Sequence, residues 1–237
     1  MEPDADLAAV GRLIGDPNRA QLLQALLGGT PQSGSALAAH AGISRALASA
    51  HLKKLTAGGL VRAERRGRQQ LYSIAAEQVA EALETLLVLA SPTPVRSLRG
   101  SARMRNLRWA RTCYDHLAGV VGVAVTEALA AGDAIAEQDG AWVLGSQATR
   151  VFGALGIDVA GVPSRTRPLL RPCLDWTERR HHVAGGLGAA LCAELMRQGW
   201  VRRSDASRIV TVTTDGYAGL DSWLGLDLGR LRADTAA

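Results

Sequence analysis

The stretch Ser44–Ile74, SRALASAHLKKLTAGGLVRAERRGRQQLYSI, decides how the rest of the chain is read. Ser44 stands where a helix N-cap is expected, and Gly58-Gly59 supplies the stop. Between them Leu47, Leu52 and Leu55 are expected to face inward. Leu60–Glu64 and Gln70–Ile74 then read as short strands, joined by the basic turn Arg65-Arg66-Gly67-Arg68. A helix beside a charged hairpin suits a major groove and its flanking phosphates.

Charge points the same way. The net charge is +5 over 237 residues, and Ser44–Gln70 alone carries a surplus of +6. Arg45, Lys53, Lys54, Arg62, Arg65, Arg66 and Arg68 stand against the single acid Glu64, and Lys53 and Lys54 are the only lysines. A basic run is often no more than a solvated face. Clustered on a helix and a wing, it implies a nucleic-acid partner.

Outward from this stretch the pattern stays helical. Asp6–Ile14 carries Leu7, Val10, Leu13 and Ile14 as a short amphipathic helix. Asp16-Pro17 gives an N-cap with proline at the first helical position, and the helix that follows bears Leu22, Leu23, Leu26 and Leu27 before Gly28-Gly29. Ser35–His40 is a short helix, and Ala41-Gly42-Ile43 a tight turn. Downstream, Glu77–Ala90 places Val79, Leu83, Leu86 and Leu87 on one stripe. Ser91-Pro92-Thr93-Pro94 then marks a boundary, because proline forbids helix continuation.

These motifs together resemble the ArsR/SmtB family of winged-helix repressors. The matching residues are Ser44, Ser49, His51-Leu52-Lys53-x-Leu55, Gly59-Leu60-Val61, Arg65-x-Gly67-Arg68 and Leu71-Tyr72-Ser73-Ile74, with Leu13-Ile14-Gly15-Asp16-Pro17-x-Arg19 upstream. The resemblance covers roughly the first 90 residues, the size of one small domain. It implies a homodimer on an inverted-repeat operator, with dimerisation through the first helix and Glu77–Ala90. The candidate DNA contacts are Ser44, Arg45, Ala48, Ser49, His51, Lys53, Lys54, Arg65, Arg66, Arg68, Gln69 and Gln70. Arg45 suits a guanine edge, Ser49 a base or phosphate, and the lysines and wing residues the backbone or minor groove. His51 is open between base contact and a structural role.

The resemblance supplies no ligand. Metal sensors of the family usually carry a Cys pair before the recognition helix, or Asp and His in the dimer helix. Here Ser35–His40 has no Cys, and Glu77–Ala90 has neither Asp nor His.

The second half repeats itself. His116–Ala124 and His182–Ala190 both read His-x-Ala-Gly-x-x-Gly-x-Ala. His and Gly three residues apart fall close to one face of a helix, so two such helices are expected to pack together with the histidines near one end. Leu195, Trp200-Val201-Arg202, Ile209–Val212 and Asp215–Leu224 imitate the order of the first domain. The fold class is therefore mainly α with small β wings: a winged helix-turn-helix, then a C-terminal helical domain that is a candidate degenerate second winged helix. In that unit Ala189–Gln198 would be the recognition-like helix, poorly charged for DNA. The expected domains are 1–91, a basic linker at 92–111 that includes Arg96, Arg99, Arg103, Arg105, Arg108 and Arg111, and a sensor and packing domain at 112–237.

Three inputs are open for that domain. Cys113, Asp115, His116, Cys173, Asp175, His181 and His182 are candidate ligands for a zinc-like ion, since Cys, His and carboxylate are its usual donors. The bland alternative makes Asp175-x-x-Glu178 a capping box for the second helix, and pairs Asp115 with Arg179 or Arg180. Trp109, Tyr114, Trp142 and Trp176 are candidates for a small-molecule pocket, or core anchors. Cys113 or Cys173 is a candidate thiol switch.

Cys113, Asp115 and His116 share one turn of the expected helix. That geometry does not favour a nucleophile–base line, and no phosphate loop or dinucleotide fingerprint is present, so a non-enzyme is expected. Three widely spaced cysteines without a secretory signal fit a reduced cytoplasmic setting. Leu117–Ala131 is too short to span a bilayer, so no membrane partner is expected. The expectation is a homodimeric transcriptional regulator, released from double-stranded DNA by a small molecule, a metal ion or thiol oxidation. The rivals are a DNA-packing protein and, further off, an enzyme using Cys113 and His116.

Overall fold

The computed structural model describes residues 6–91, 97–163, 167–204 and 207–236. The chain divides into two compact units, Met1–Leu83 and Glu84–Ala237. Pro92, Pro94 and Arg96 of the expected boundary and linker lie outside the described residues.

The first unit runs α1 (Leu7–Ile14), α2 (Pro17–Leu26), β1 (Gln32–Ser33), α3 (Gly34–Ala41), α4 (Arg45–Ala57), β2 (Val61–Arg66) and β3 (Gln69–Ile74), and enters α5 (Glu77–Leu89). Each start has a visible cause. Asp6, Asp16, Ser33 and Ser44 cap α1, α2, α3 and α4 by accepting a backbone N–H with their side chains. Arg19 donates to the carbonyls of Arg12 and Leu13, which ties the end of α1 to the start of α2. Leu22, Leu26, Leu37, Leu52 and Leu55 close the core between α2, α3 and α4. The sheet order is β1-β3-β2, antiparallel throughout. The wing is longer than expected: Arg65 and Arg66 pair with Gln70 and Gln69, which leaves only Gly67-Arg68 as the turn. Gly67 sits at φ +60°, a conformation that costs glycine little.

The second unit contains the later part of α5 and α6 (Leu98–Trp109), and then one pattern twice. The first copy is the hairpin β4 (Arg111–Cys113) and β5 (His116–Ala118), α7 (Gly119–Ala131), the hairpin β6 (Ile135–Gln138) and β7 (Ala141–Leu144), and α8 (Ala148–Ala154). The second copy is β8 (Arg171–Leu174) and β9 (His181–Ala184), α9 (Gly185–Arg197), β10 (Val201–Arg203) and β11 (Val210–Val212), and α10 (Thr214–Leu224), followed by α11 (Leu228–Ala236). Helix, hairpin, helix is the order of α4, β2, β3 and α5, so the winged-helix imitation occurs in both copies. The recognition-like helix is α9, which starts before Ala189.

The His-x-Ala-Gly motifs fold differently from the expectation. His116 and His182 are on strands β5 and β9, and the helices start only at Gly119 and Gly185, which have φ near +80°. The chain reverses sharply there, and glycine adopts that backbone readily. The crossing is reciprocal: α7 packs on β9, and α9 packs on β5. Gly122 and Gly188 make this possible. A Cβ on Gly188 would lie 2.5 Å from the Val183 carbonyl oxygen and 3.3 Å from Cβ of His116. Among the described residues, no helix is long and apolar enough to cross a membrane.

Candidate functional sites: a basic helix–wing face and a buried Cys–His cluster

The first site is the outer face of α4 and the wing. Ser44, Arg45, Ser49, Lys53, Lys54, Arg65, Arg66, Arg68, Gln69 and Gln70 are all exposed. Arg45, Ser49, Gln69, Gln70 and Tyr72 line a hollow with Ser33, Gly34 and Ser35 at the start of α3. The two serines escaped the sequence reading, although a Ser cap directly ahead of α3 was the signal for them. Two expected contacts do not belong here. Ala48 is fully buried, and His51 is buried with Nδ1 3.9 Å from the Asp16 carboxylate, so neither reaches a base. Leu47, expected inside, is instead 41% exposed. The inward face of α4 is Ala48, His51, Leu52 and Leu55, a regular helical spacing that Leu47 does not share. On the wing, Glu64 holds Arg66 at 3.1 Å, and Arg62 donates to Ser73. Arg65 and Arg68 form no ion pair within the described part of the wing.

The second site is built from the first hairpin of each copy. In β4–β5, Cys113 stands directly across from His116; in β8–β9, Cys173 stands directly across from His182. Residues in such register hold their side chains close on one face of the ribbon. Ligand atoms of the four lie within 4.8 Å of one another. The two sulfurs are 3.8 Å apart, and the two histidine Nε2 atoms 3.1 Å apart. All are buried except Cys173, which is partly exposed.

Each histidine turns its other nitrogen to an aspartate. Nδ1 of His116 is 3.3 Å from Asp115, and Nδ1 of His182 is 3.4 Å from Asp175. Each aspartate in turn has an arginine, Arg167 for Asp115 and Arg111 for Asp175. Arg111 and Asp175 are fully buried and 2.7 Å apart. Asp175 also accepts N–H groups from Thr177, Glu178 and Gly119, the last at the start of α7. Burial pushes the Asp175 carboxyl up, but hydrogen bonding to His182 and the charge of Arg111 outweigh it and hold it far below the ordinary carboxylate range. The hydrogen bond to Cys173, with burial, pushes the Cys113 thiol up to about 12. That opposes a reactive thiolate.

Several expectations need correction. Asp175 and Glu178 lie in the β8–β9 connection and start no helix; Glu178 pairs with Arg108 at 2.8 Å. Asp115 pairs with Arg167, while Arg180 pairs with Glu127. His181 is exposed, with its ring edge-on to Trp142, and stands apart from the cluster. Cys113, Asp115 and His116 occupy a hairpin, so the helical-turn argument against a catalytic line fails. The four aromatics stand on different elements and turns. Trp109 sits in the core under Arg232, and Trp176 lies beside Arg111. Trp142 is on β7, and Tyr114 is in the β4–β5 turn at φ +60°. Of the expected basic linker, Arg111 is wholly interior.

The cluster is also tied to α5. Thr112, next to Cys113, donates its N–H to the Arg208 carbonyl and accepts from the Arg208 guanidinium. Arg208 then pairs with Glu84 on α5, both side chains being buried.

Comparison with known proteins agrees with the first site. A helix-turn-helix domain family matches residues 14–64. The HTH-type transcriptional regulator YdfF of Bacillus subtilis (strain 168) is 34% identical over 228 residues, which is 96% of this chain and all of that protein. The HTH-type transcriptional regulator CmtR of Mycobacterium bovis is 44% identical over 84 residues, 35% of this chain and 70% of that protein. Among solved structures, the cadmium metal-sensor CmtR from Mycobacterium tuberculosis is 43% identical, covering 39% of this chain and 100% of that one, with a TM-score of 0.31.

Proposed function

This chain belongs to the ArsR/SmtB-type winged-helix transcriptional regulators, with an extra C-terminal domain, and on that footing we propose that it is a homodimeric repressor whose hold on an inverted-repeat operator is set in its C-terminal unit. The observation that carries the reading is the exposed row of Arg45, Ser49 and Lys53 beside the Arg65–Gln70 wing. Arg45 and Ser49 read bases; Lys53, Lys54, Arg65, Arg66 and Arg68 hold phosphates.

Dimerisation uses α1 and α5. Leu7 is 80% exposed and Leu89 77%, and Val10 and Leu86 lie open beside them on the same helices. Such apolar side chains on amphipathic helices need a partner surface. Within the C-terminal unit the cluster is joined through Thr112 and Arg208 to Glu84 on α5, a helix that begins in the first unit. The C-terminal cluster is read as a binding site, because two cysteines and two histidines converge there within 4.8 Å.

Footprinting on the promoter of its own gene tests this. The expected pattern is a palindrome with half-sites in successive major grooves, about 10 base pairs apart. Uniform protection without a palindrome would favour a DNA-packing protein and reject the repressor.

A further inference from the structure

We propose that Cys113, His116, Cys173 and His182 form a binding site for one divalent d-block ion of the zinc type, held tetrahedrally between the two copies of the C-terminal repeat.

Four observations converge. The first is the donor set. Two sulfurs and two imidazole nitrogens are a combination that structural zinc sites use, and softer sulfur disfavours magnesium or calcium. The second is spacing. Tetrahedral bonds of about 2.3 Å to sulfur place two sulfurs about 3.8 Å apart, and bonds of about 2.0–2.1 Å to nitrogen place two nitrogens about 3.3–3.4 Å apart. The structure has 3.8 Å and 3.1 Å. A sulfur pair at 3.8 Å is well short of a disulfide, whose bond is about 2.05 Å.

The third is orientation. Both Nε2 atoms face the cluster, and both Nδ1 atoms face a carboxylate, Asp115 or Asp175. A carboxylate behind the ring fixes which nitrogen carries the proton and leaves the other free to ligate. An ion on Nε2 would keep the proton of His182 on Nδ1, facing Asp175 at 3.4 Å. The fourth is charge. Two thiolates neutralise a divalent ion, and the two aspartates are already balanced by Arg167 and Arg111. The thiol protons leave to solvent as the ion binds, so nothing is oxidised. Cys173, the partly exposed member, marks the side of entry.

The site uses one hairpin from each copy, so an ion there joins halves of the unit that are distant in sequence. As the input of the repressor it rests on the function proposed above; as a binding site it does not.

The test uses the full-length chain, purified without an affinity tag, fully reduced and stripped with a chelator. Titration with Zn(II) against a chromophoric competitor is expected to show one equivalent per chain. Co(II) is expected to give a sulfur-to-cobalt charge-transfer band and the intense visible bands of tetrahedral coordination. Cys113→Ser and Cys173→Ser should each weaken binding at least a hundredfold. Asp115→Asn keeps all four ligands, and is expected to weaken it about 10–100-fold even where the serine variants fail to fold. His181→Ala should change nothing. Less than a tenth of an equivalent on reduced chain, or a Co(II) spectrum without sulfur charge transfer, would overturn the site. A chain that protects its operator but takes no zinc rejects this site alone. One that takes zinc but protects no palindrome rejects the repressor alone.

Discussion

The two units use one order of elements, helix, hairpin, helix, for opposite purposes. In the first, α4 and the β2–β3 wing turn their cations outward: Arg45, Lys53, Lys54, Arg65 and Arg68 all face solvent. In the second, each such helix is preceded by an extra hairpin whose polar groups are interior: Arg111, His116, Asp175 and His182 are all buried. The difference teaches that a helix and hairpin do not by themselves make a DNA reader. What decides is where the small residues sit. Gly122 and Gly188 let each helix of the second unit close over a strand of the other copy, which seals the face that α4 leaves open.

The strongest way to break this contrast is Asp175→Ala. It leaves the Arg111 guanidinium buried without its partner, which is expected to cost about 3–5 kcal/mol. Urea unfolding of the full chain measures it, and a loss below about 1 kcal/mol would mean that the buried charges are not what holds the second unit. Next comes Gly188→Ala, whose Cβ would fall 2.5 Å from a backbone oxygen. Overpacking of that kind is expected to cost about 1–3 kcal/mol, whereas Gly153→Ala, on α8 with nothing within 4 Å, should be neutral or slightly stabilising. If thermal melts rank the two alike, neither the tight passage from β9 into α9 nor its 3.3 Å approach to His116 is a constraint.

On the outward side, Arg45→Ala should weaken operator binding by about 1–3 kcal/mol while shifting stability by no more than about 0.5 kcal/mol. Fluorescence anisotropy on an operator duplex would show it; an equal loss on every sequence would move Arg45 from base reading to phosphate holding. The smallest effect is Ser44→Ala, which removes the bond from the Leu47 N–H and should cost about 1 kcal/mol of stability. No loss of α4 protection in hydrogen exchange would show that tertiary packing, rather than the cap, fixes where the recognition helix begins.

The first unit was legible because its signals are local. Ser44, Gly58 and the run Arg65–Arg68 each announce a boundary within a few residues of where it falls. Its errors were errors of facing: Leu47 lies one step of about 100° outside the buried stripe and Ala48 at its centre, while His51, open between two roles, falls on the buried side. The second unit was legible as a repeat but not as a geometry. Equal spacing of His116, Gly119 and Gly122 fits a helix, yet Gly119 at φ +80° ends a strand instead. The four cluster residues were all visible as residue types; their convergence was not, since it depends on two strand registers and a crossing that no short window contains. A closer signal was present in Arg111-x-Cys113-x-Asp115 and Arg171-x-Cys173-x-Asp175, which extends the repeat back across the ligands.

The bond from the Gly119 N–H to the Asp175 carboxylate has a consequence for synthesis. The acceptor that caps α7 and neutralises Arg111 is encoded 56 residues after that glycine. On the ribosome, the first copy therefore waits with a bare helix start and an unpaired guanidinium until the second has emerged. The two copies should acquire their native form together, late and in one step, while the first unit, whose caps and core are its own, is already folded.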